Sequence, residues 1–422
     1  MNGLQGSRPK LLAGIALLGA TALVIAGCST SSPAPESSEA PEGTTNERPD
    51  NVDLSLKLGS LLPATGTLAF LGAPMEAGVQ LAVAQINEAD AGIQVELISE
   101  DEGDLDNKAY ETSITNLQSA GITAMVGAAS SSVTKLILDG NAGAGILTVS
   151  PSNTSPDFSG INPLYFRTAP SDLLQGEVLG NQIAEDGHKT LGIIYQNDPY
   201  GTGLFEAIKS TFELTGGEVV ADASYNQGDG QFNAQVETIA AANPDAVAVV
   251  SYDQFATIAP LLGNAGVDTG ALYLVDGNLK DWPDLPVSLE GSKGTRAGAE
   301  LPDDFIDQLN EVWTAGGNEP IDALTYSAEA YDAAILIGLS ALYAISVEGE
   351  DIAGAMRTVS GGEGDGEACT SFADCAAIIN DGGTPDYNGY SGDVTFDENN
   401  DPAGAAIGVY EFDASNVQTR IK

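Results

Sequence analysis

The chain has one histidine, two tryptophans, three cysteines and four methionines in 422 residues, and 15 lysines and arginines against 60 aspartates and glutamates. Each shortage excludes something. With His188 alone, a Ser-His-Asp triad or a histidine-rich metal centre has almost no material. His188 also stands in Gly187-His188-Lys189, where a strand is expected to start, and reads as a solvated loop residue. The formal net charge of −45 excludes nucleic acid as a partner, because holding phosphates needs clustered cations. Acidity on this scale serves solubility or a salty environment rather than a site. The acidic runs 100–106 and 397–401 do not follow the spaced calcium-ligand loop with its closing glutamate, so neither metal nor cofactor is expected. Beyond residue 27 no apolar run reaches the ~20 residues of a spanning helix. The best, 333–347, is bounded by Asp332 and Glu348 and reads as a buried helix.

What is present begins at the N-terminus. Arg8 and Lys10 precede an uncharged, mostly apolar stretch that ends in Ile25-Ala26-Gly27-Cys28. A charged start, an apolar core and small residues at the cut describe an export signal over 1–27. Cys28, directly after the cut, resembles the bacterial lipobox, whose thiol is lipidated and becomes the first residue of the mature protein. An ordinary signal peptide with an incidental cysteine is the alternative. Residues 28–53, rich in Ser, Pro and Glu without an apolar period, read as a disordered tether. Cleavage would remove two cations and no acid, leaving 13 basic against 60 acidic residues, or −47. So acidic a surface is repelled by anionic lipid, which leaves membrane attachment to acyl chains at ~0.8 kcal/mol per buried CH₂. The expected location is outside the cytoplasm, lipid-anchored to the outer face of the cell membrane. Cys369 and Cys375 are then most simply a disulfide closing a short loop, since a metal site would need further Cys or His ligands nearby.

From residue 54 onward, short apolar runs alternate with longer amphipathic ones. Segments 54–62, 93–99, 122–126 and 146–150 read as buried strands, each followed by a turn and a helical pattern, as in 75–87 with Val79, Val83 and Ile86 on one face. The pattern restarts after Arg167, with a helix near 173–185 and strands at 190–195, 218–224, 246–251 and 271–276. Helices at 303–315 and 326–347 precede a final hairpin near 393–412. Strand and helix in this alternation predict an α/β chain of two doubly wound, parallel-sheet lobes.

Ligands bind such sheets beyond the carboxyl ends of the strands, where helix N-termini present unpaired N–H groups. Ala129-Ser130-Ser131-Ser132 follows a strand and opens a helix, and Pro151-Ser152-Asn153-Thr154 follows the neighbouring one. Capping accounts for one serine; the cluster is suited to a carboxylate or an amide without any cation. On the second lobe Tyr200, Tyr252 and Asp276 each stand at a strand end. An acid there can hold an ammonium, and tyrosine faces can cover an alkyl chain or support the cation. A turn residue before Gly277 is the plainer reading of Asp276.

At these residues the chain resembles the leucine/isoleucine/valine-binding proteins of bacterial ABC importers, over residues 54 to about 412. The resemblance is carried by Gly59, Pro63, Thr65-Gly66, Gly72, Gly78, Ala82 and Asn87. It continues through Gly127 with Ser130–Ser132, Ser150-Pro151-Ser152-Asn153-Thr154, Phe166-Arg167-Thr168, Asp198-Pro199-Tyr200-Gly201, the segment 228–232, Pro244-Asp245 and Tyr331-Asp332-Ala333. It implies the type 1 periplasmic-binding-protein fold, with lobe 1 formed by 54–170 plus 300–395 and lobe 2 by 171–299 plus 396–422. A three-segment hinge would cross near Pro170, near Ala299 and within 396–408, and permit closure on a ligand. By motif position Ser131, Ser152 and Thr154 would hold the ligand's α-carboxylate and Asp276 its ammonium, with Tyr200 and Tyr252 closing over it. Two departures alter the pocket. Leucine stands in Phe70-Leu71 where relatives place an aromatic, and Asp276 replaces a frequent, longer Glu.

The implied protein is not an enzyme. It is a substrate-binding lipoprotein that takes an amino acid, branched-chain or similar, or a related small amide, and delivers it to an ABC transporter permease. A ligand sensor coupled to a membrane receptor needs the same hinge and cleft and stands as the second reading. A hydrolase built on the serine cluster would lack a histidine base and would have to use a carboxylate.

Overall fold

The computed structural model describes residues 52–321 and 323–422. The expected signal, Cys28 and most of the tether lie outside these residues.

The first half of the chain alternates strand and helix: β1 (Leu54–Leu62), α1 (Gly72–Ala89), β2 (Ile93–Asp101), α2 (Ala109–Ala120), β3 (Ala124–Gly127), α3 (Ser131–Gly143), β4 (Leu147–Ser150) and β5 (Tyr165–Arg167). Its five strands form a parallel sheet in the order β2-β1-β3-β4-β5, with Leu58 opposite both Leu97 and Ala124. β3 and β4 are buried at every position, which is why they read as unbroken apolar runs without alternation.

The chain then repeats the scheme: α4 (Asp172–Glu185), β6 (Thr190–Gln196), α5 (Pro199–Leu214), β7 (Glu218–Tyr225), α6 (Asn233–Ala242), β8 (Ala246–Val250), α7 (Phe255–Asn264), β9 (Leu272–Leu274) and β10 (Lys293–Ala297). A third block follows with α8 (Asp303–Ala315), α9 (Ser327–Ala344), α10 (Gly349–Val359), β11 (Glu367–Cys369), α11 (Phe372–Asn380) and β12 (Pro385–Tyr387). The tail is β13 (Gly392–Phe396), β14 (Pro402–Ala405), β15 (Ile407–Phe412) and β16 (Gln418–Arg420). The second sheet runs β16-β15-β10-β9-β8-β6-β7. The expected single hairpin over 393–412 divides here. β13 and β14 form a small antiparallel pair, while β15 leaves it to lie antiparallel on β10 and extend the second sheet. That return is dictated by burial, since Val409, Tyr410 and Phe412 are inside.

Helix α9 is buried from Ser327 through Leu342 and packs on α1 and α10. Among the described residues no single helix is long and apolar enough to cross a membrane. The closest approach of α1 to α9 is set by Gly78, where a Cβ would lie 2.2 Å from the Ser327 carbonyl oxygen. Cys369 and Cys375 are joined, Cα to Cα 5.4 Å, linking the end of β11 to α11. A ring this small stabilises by ~2 kcal/mol in the chain-entropy model, a local staple. Asp332, fully buried on α9, accepts from the Tyr387 hydroxyl (2.7 Å), the Tyr390 amide (3.2 Å) and the Ser391 amide and hydroxyl (2.7 and 2.6 Å), and so fixes the loop after β12.

Glu329, in the first turn of α9, is 3% exposed. Burial pushes its carboxyl up to about 8, nearby Asp332 adds to this, and Arg296 opposes it. The folded chain therefore keeps a proton that the unfolded chain gives up above its ordinary value. The stabilisation is complete below that ordinary value and is lost as pH rises toward 8, with a slope of up to ~1.4 kcal/mol per pH unit. Urea midpoints measured from pH 5 to 8 should fall more steeply for the wild type than for Glu329→Gln. Parallel profiles would show that Glu329 does not titrate in this range.

Candidate functional site

The rim of the first sheet is organised by its helix ends. Ser130 caps α3, its hydroxyl accepting from the Val133 amide at 3.0 Å. The two preceding amides, Ala129 and Ser130, donate to Glu102 at 2.6 and 2.8 Å, tying this loop to the end of β2. Burial pushes the Glu102 carboxyl up to about 8, and the two amides pull the other way. The first-turn amides of α3 have no intrahelical acceptor, so Ser131 and Ser132 stand where a helix end offers donors. The Ser131 hydroxyl donates to Asn153 Oδ1 (2.6 Å) and the Ser152 hydroxyl to the Ala129 carbonyl (3.3 Å). Both hydroxyls thus brace the two rim loops against each other. Thr154 is different: its hydroxyl is buried and has no hydrogen bond of ordinary geometry.

On the second sheet's side, Asp198 caps α5 and accepts from the Gly201 amide (2.7 Å). Pro199 suits the first turn, and Tyr200 follows it into the interior. Tyr200 and Tyr252 stack, with ring centroids 5.3 Å apart and planes 13° from parallel. Asp276 lies just past β9 and is 4% exposed. Its Oδ1 accepts from the Tyr200 hydroxyl (2.7 Å) and Gln175 Nε2 (2.9 Å), and its Oδ2 from the Tyr326 hydroxyl (2.6 Å). Tyr200, Tyr252 and Asp276 therefore converge on one buried cluster, and Thr154 joins it through its carbonyl, which accepts from the Asp172 amide at 2.7 Å, whereas the hydroxyls of Ser131 and Ser152 turn toward their own sheet's loops.

Asp172, Gln175 and Tyr326 belong to this cluster and did not stand out in the sequence. Asp172 opens α4 behind the cap Ser171 and looked like an ordinary first-turn acid; Tyr326 looked like the start of a core helix. The available signal was spacing: Gln175 and Asp172 sit three apart on α4, on one face. Asp172 is fully buried, with the Thr154 hydroxyl beside it and no hydrogen bond of ordinary geometry on either carboxylate oxygen. Burial first, then neighbouring Asp276 and Asp198, hold its carboxyl well above the usual range; Thr154 and Arg167 oppose them.

The two sides meet directly. The Ser132 hydroxyl donates to Asp198 Oδ2 at 3.0 Å, and the Ser155 hydroxyl to the Pro199 carbonyl at 3.0 Å. Lys280 Nζ lies 4.5 Å from the Phe70 ring centroid and 4.6 Å from that of Trp282, and pairs with Asp253 at 2.5 Å. Phe70, in the loop where the resemblance differs, is thus a contact for a cation on the opposite side. Asp101 and Asp104, from the first acidic run, cap the loop 64–67 and the turn after β2 through the amides of Ala64, Thr65, Gly103, Thr67 and Asn107. No cluster of metal-ligating side chains occurs among the described residues.

One parallel and one mostly parallel sheet with helices on their faces, and a buried polar cluster beyond the carboxyl ends of their strands, define a two-lobed binding protein. Residues 55–411 match the periplasmic binding protein family model, and the chain belongs to that family, among the type 1 proteins that resemble the Leu/Ile/Val-binding proteins. It is 32% identical over 189 residues, 44% of its length, to the leucine-, isoleucine-, valine-, threonine- and alanine-binding protein of Pseudomonas aeruginosa, and the match spans 50% of that relative. It is 26% identical over 360 residues, 80% of its length and 82% of the relative's, to the chemotactic signal transduction substrate-binding protein BasB of Halobacterium salinarum. The leucine-binding protein LivK of Thermotoga maritima shares the fold with a TM-score of 0.70 at 22% identity, covering 87% of this chain and 98% of that one. An ABC transporter solute-binding protein from R. palustris, in complex with 4-hydroxybenzoate, shares it with a TM-score of 0.68 at 16% identity, covering 87% of this chain and 96% of that one.

Proposed function

We propose that the chain is an extracytoplasmic substrate-binding lipoprotein of an ABC importer, anchored through Cys28, that closes on an amino acid or a related small amide and presents it to a membrane permease. The observation that carries this reading is the buried cluster joining Thr154 of one rim to Asp172, Tyr200, Tyr252 and Asp276 of the other. The Thr154 hydroxyl and the first-turn amides of α3 offer uncharged donors to a carboxylate, and the acids beneath the stacked tyrosines offer acceptors to an ammonium. Nothing in the cluster supplies a histidine base, which favours holding over turnover. Radiolabelled amino-acid uptake in cells with and without the protein tests delivery: uptake should fall when it is removed.

The likeness to BasB along most of the chain favours sensing as a second reading. Unchanged uptake together with a lost behavioural response to the same amino acid would select it.

Ligand stabilises a closed form only by its extra contacts there. The Lys280 bridge between Phe70 and Trp282 is one such contact made by the protein itself. Lys280→Ala is expected to weaken amino-acid binding by about 0.5–1 kcal/mol, the range for exposed cation–π pairs. Titration calorimetry checks it, and an unchanged affinity would remove this bridge from the closing motion.

A further inference from the structure

A cavity of about 330 Å³ lies apart from the cluster, between the second sheet and the start of α9. Arg296 of β10, Tyr410 of β15 and Arg420 of β16 form one wall. The other comes from α8 and the first turn of α9, helices that both pack on α1. The backbone from Ala297 to Leu301 joins the two walls, at the crossing expected near Ala299.

The charge of this lining is out of keeping with the rest of the chain. Four arginines occur among the described residues of a protein with 60 acids, and two of the four stand here. Arg167 pairs with Asp401, and Arg357 with Glu363. Arg296 and Arg420 make no salt bridge to an aspartate or glutamate among the described residues, Glu300, Asp303 and Glu329 of the same lining included. Arg296 donates to the Thr325 and Tyr410 hydroxyls at 3.0 and 2.9 Å. Arg420 donates to the Gly298 carbonyl at 3.2 Å and to the Lys422 main-chain oxygen at 2.9 Å. Nε of Arg296 and Nη2 of Arg420 are left without an acceptor among the described residues. Glu329 does not supply one. Burial pushes its carboxyl up to about 8, so at lower pH it stands in the wall as a neutral donor rather than a negative charge. Leu301, Ile306 and Leu324 add apolar surface. Guanidinium donors, a protonated carboxyl and an apolar wall fit a carboxylate with a short hydrocarbon body. The volume agrees, at the lower end of the ~300–1,000 Å³ of organic-ligand sites.

We propose that this cavity is a second binding site, separate from the cleft, which takes a small organic carboxylate with its head at Arg296 and Arg420 and its body on Leu301, Ile306 and Leu324. The inference stands apart from the amino-acid reading, since neither arginine belongs to the buried cluster.

Titration calorimetry and thermal unfolding of the mature chain at pH 6 test it, with hexanoate as the probe. Hexanol, which lacks the carboxylate, and chloride, which lacks the body, are the controls at matched ionic strength. Hexanoate should bind saturably, one molecule per chain, and raise the melting temperature, as a ligand of the folded state does. Arg420→Gln and Arg296→Gln should each weaken it at least 10-fold. Arg420→Lys should recover part of that loss, because the charge returns without the fork. Circular dichroism checks that each variant folds, and Arg420, on the last strand, can change without touching the core. No saturable binding of hexanoate would overturn the inference, as would equal binding of hexanol or chloride. So would hexanoate affinity kept in Arg420→Gln and lost in Tyr252→Ala, which would place the probe in the cleft.

Discussion

Arg167→Ala is expected to destabilise the protein by about 3–5 kcal/mol, the largest effect of any single substitution considered. The side chain is fully buried at the end of β5. Its guanidinium grips Asp401 with two parallel bonds, the geometry in which arginine binds a carboxylate best. It also donates to Ser159 (2.9 Å) and to the Asn153 and Ser155 carbonyls (3.2 and 2.8 Å) on either side of Thr154. Removal leaves a carboxylate only 13% exposed without its cation, two carbonyls without a donor, and a cavity. Urea denaturation should show a lower midpoint with little change in slope. Arg167→Lys should recover only part of the loss, because an ammonium cannot reproduce the fork. A midpoint within error of the wild type would show that the Asp401 pair contributes nothing net.

Asp276→Ala is expected to weaken amino-acid binding by at least ~2 kcal/mol, the cost of truncating one member of a buried, hydrogen-bonded charge cluster. The substitution strands the Tyr200 and Tyr326 hydroxyls and frees Gln175. Two of these partners come from different parts of the chain, Tyr200 from the start of α5 and Tyr326 from the turn before α9. The loss should therefore appear in the dissociation rate, as the closed form opens more readily. Stopped-flow displacement measures that rate directly, and unchanged affinity would remove Asp276 from the site.

Much of the architecture was legible in the chain because apolar periodicity is local. The strand at 54–62 matches β1 residue for residue, and the helix at 303–315 matches α8. The strand expected at 271–276 is only Leu272–Leu274 as ladder, since Val275 to Asn278 turn to form the site instead. The return of β15 to the second sheet was not legible from local pattern; only the family resemblance implied it, by assigning 396–422 to the second lobe. A strand in a two-stranded ribbon and one at a sheet edge have the same sequence pattern, and only long-range burial separates them. The same limit hid half the cluster. Thr154, Tyr200, Tyr252 and Asp276 follow strands, where a general rule places ligands. Asp172 opens a helix and Tyr326 precedes one, and nothing local distinguishes a buried acid at a helix start from a solvated one. Lys280 shows the reverse case, an unremarkable surface cation in sequence that the fold places between Phe70 and Trp282.

The most direct measurement is calorimetric titration of protein that has been unfolded, stripped of small molecules and refolded, against the standard L-amino acids. If two jaws close on a single ammonium-bearing molecule, at least one amino acid will bind saturably, one molecule per chain, with a negative heat-capacity change from the surface buried on closure. No saturable heat from any of them would contradict it.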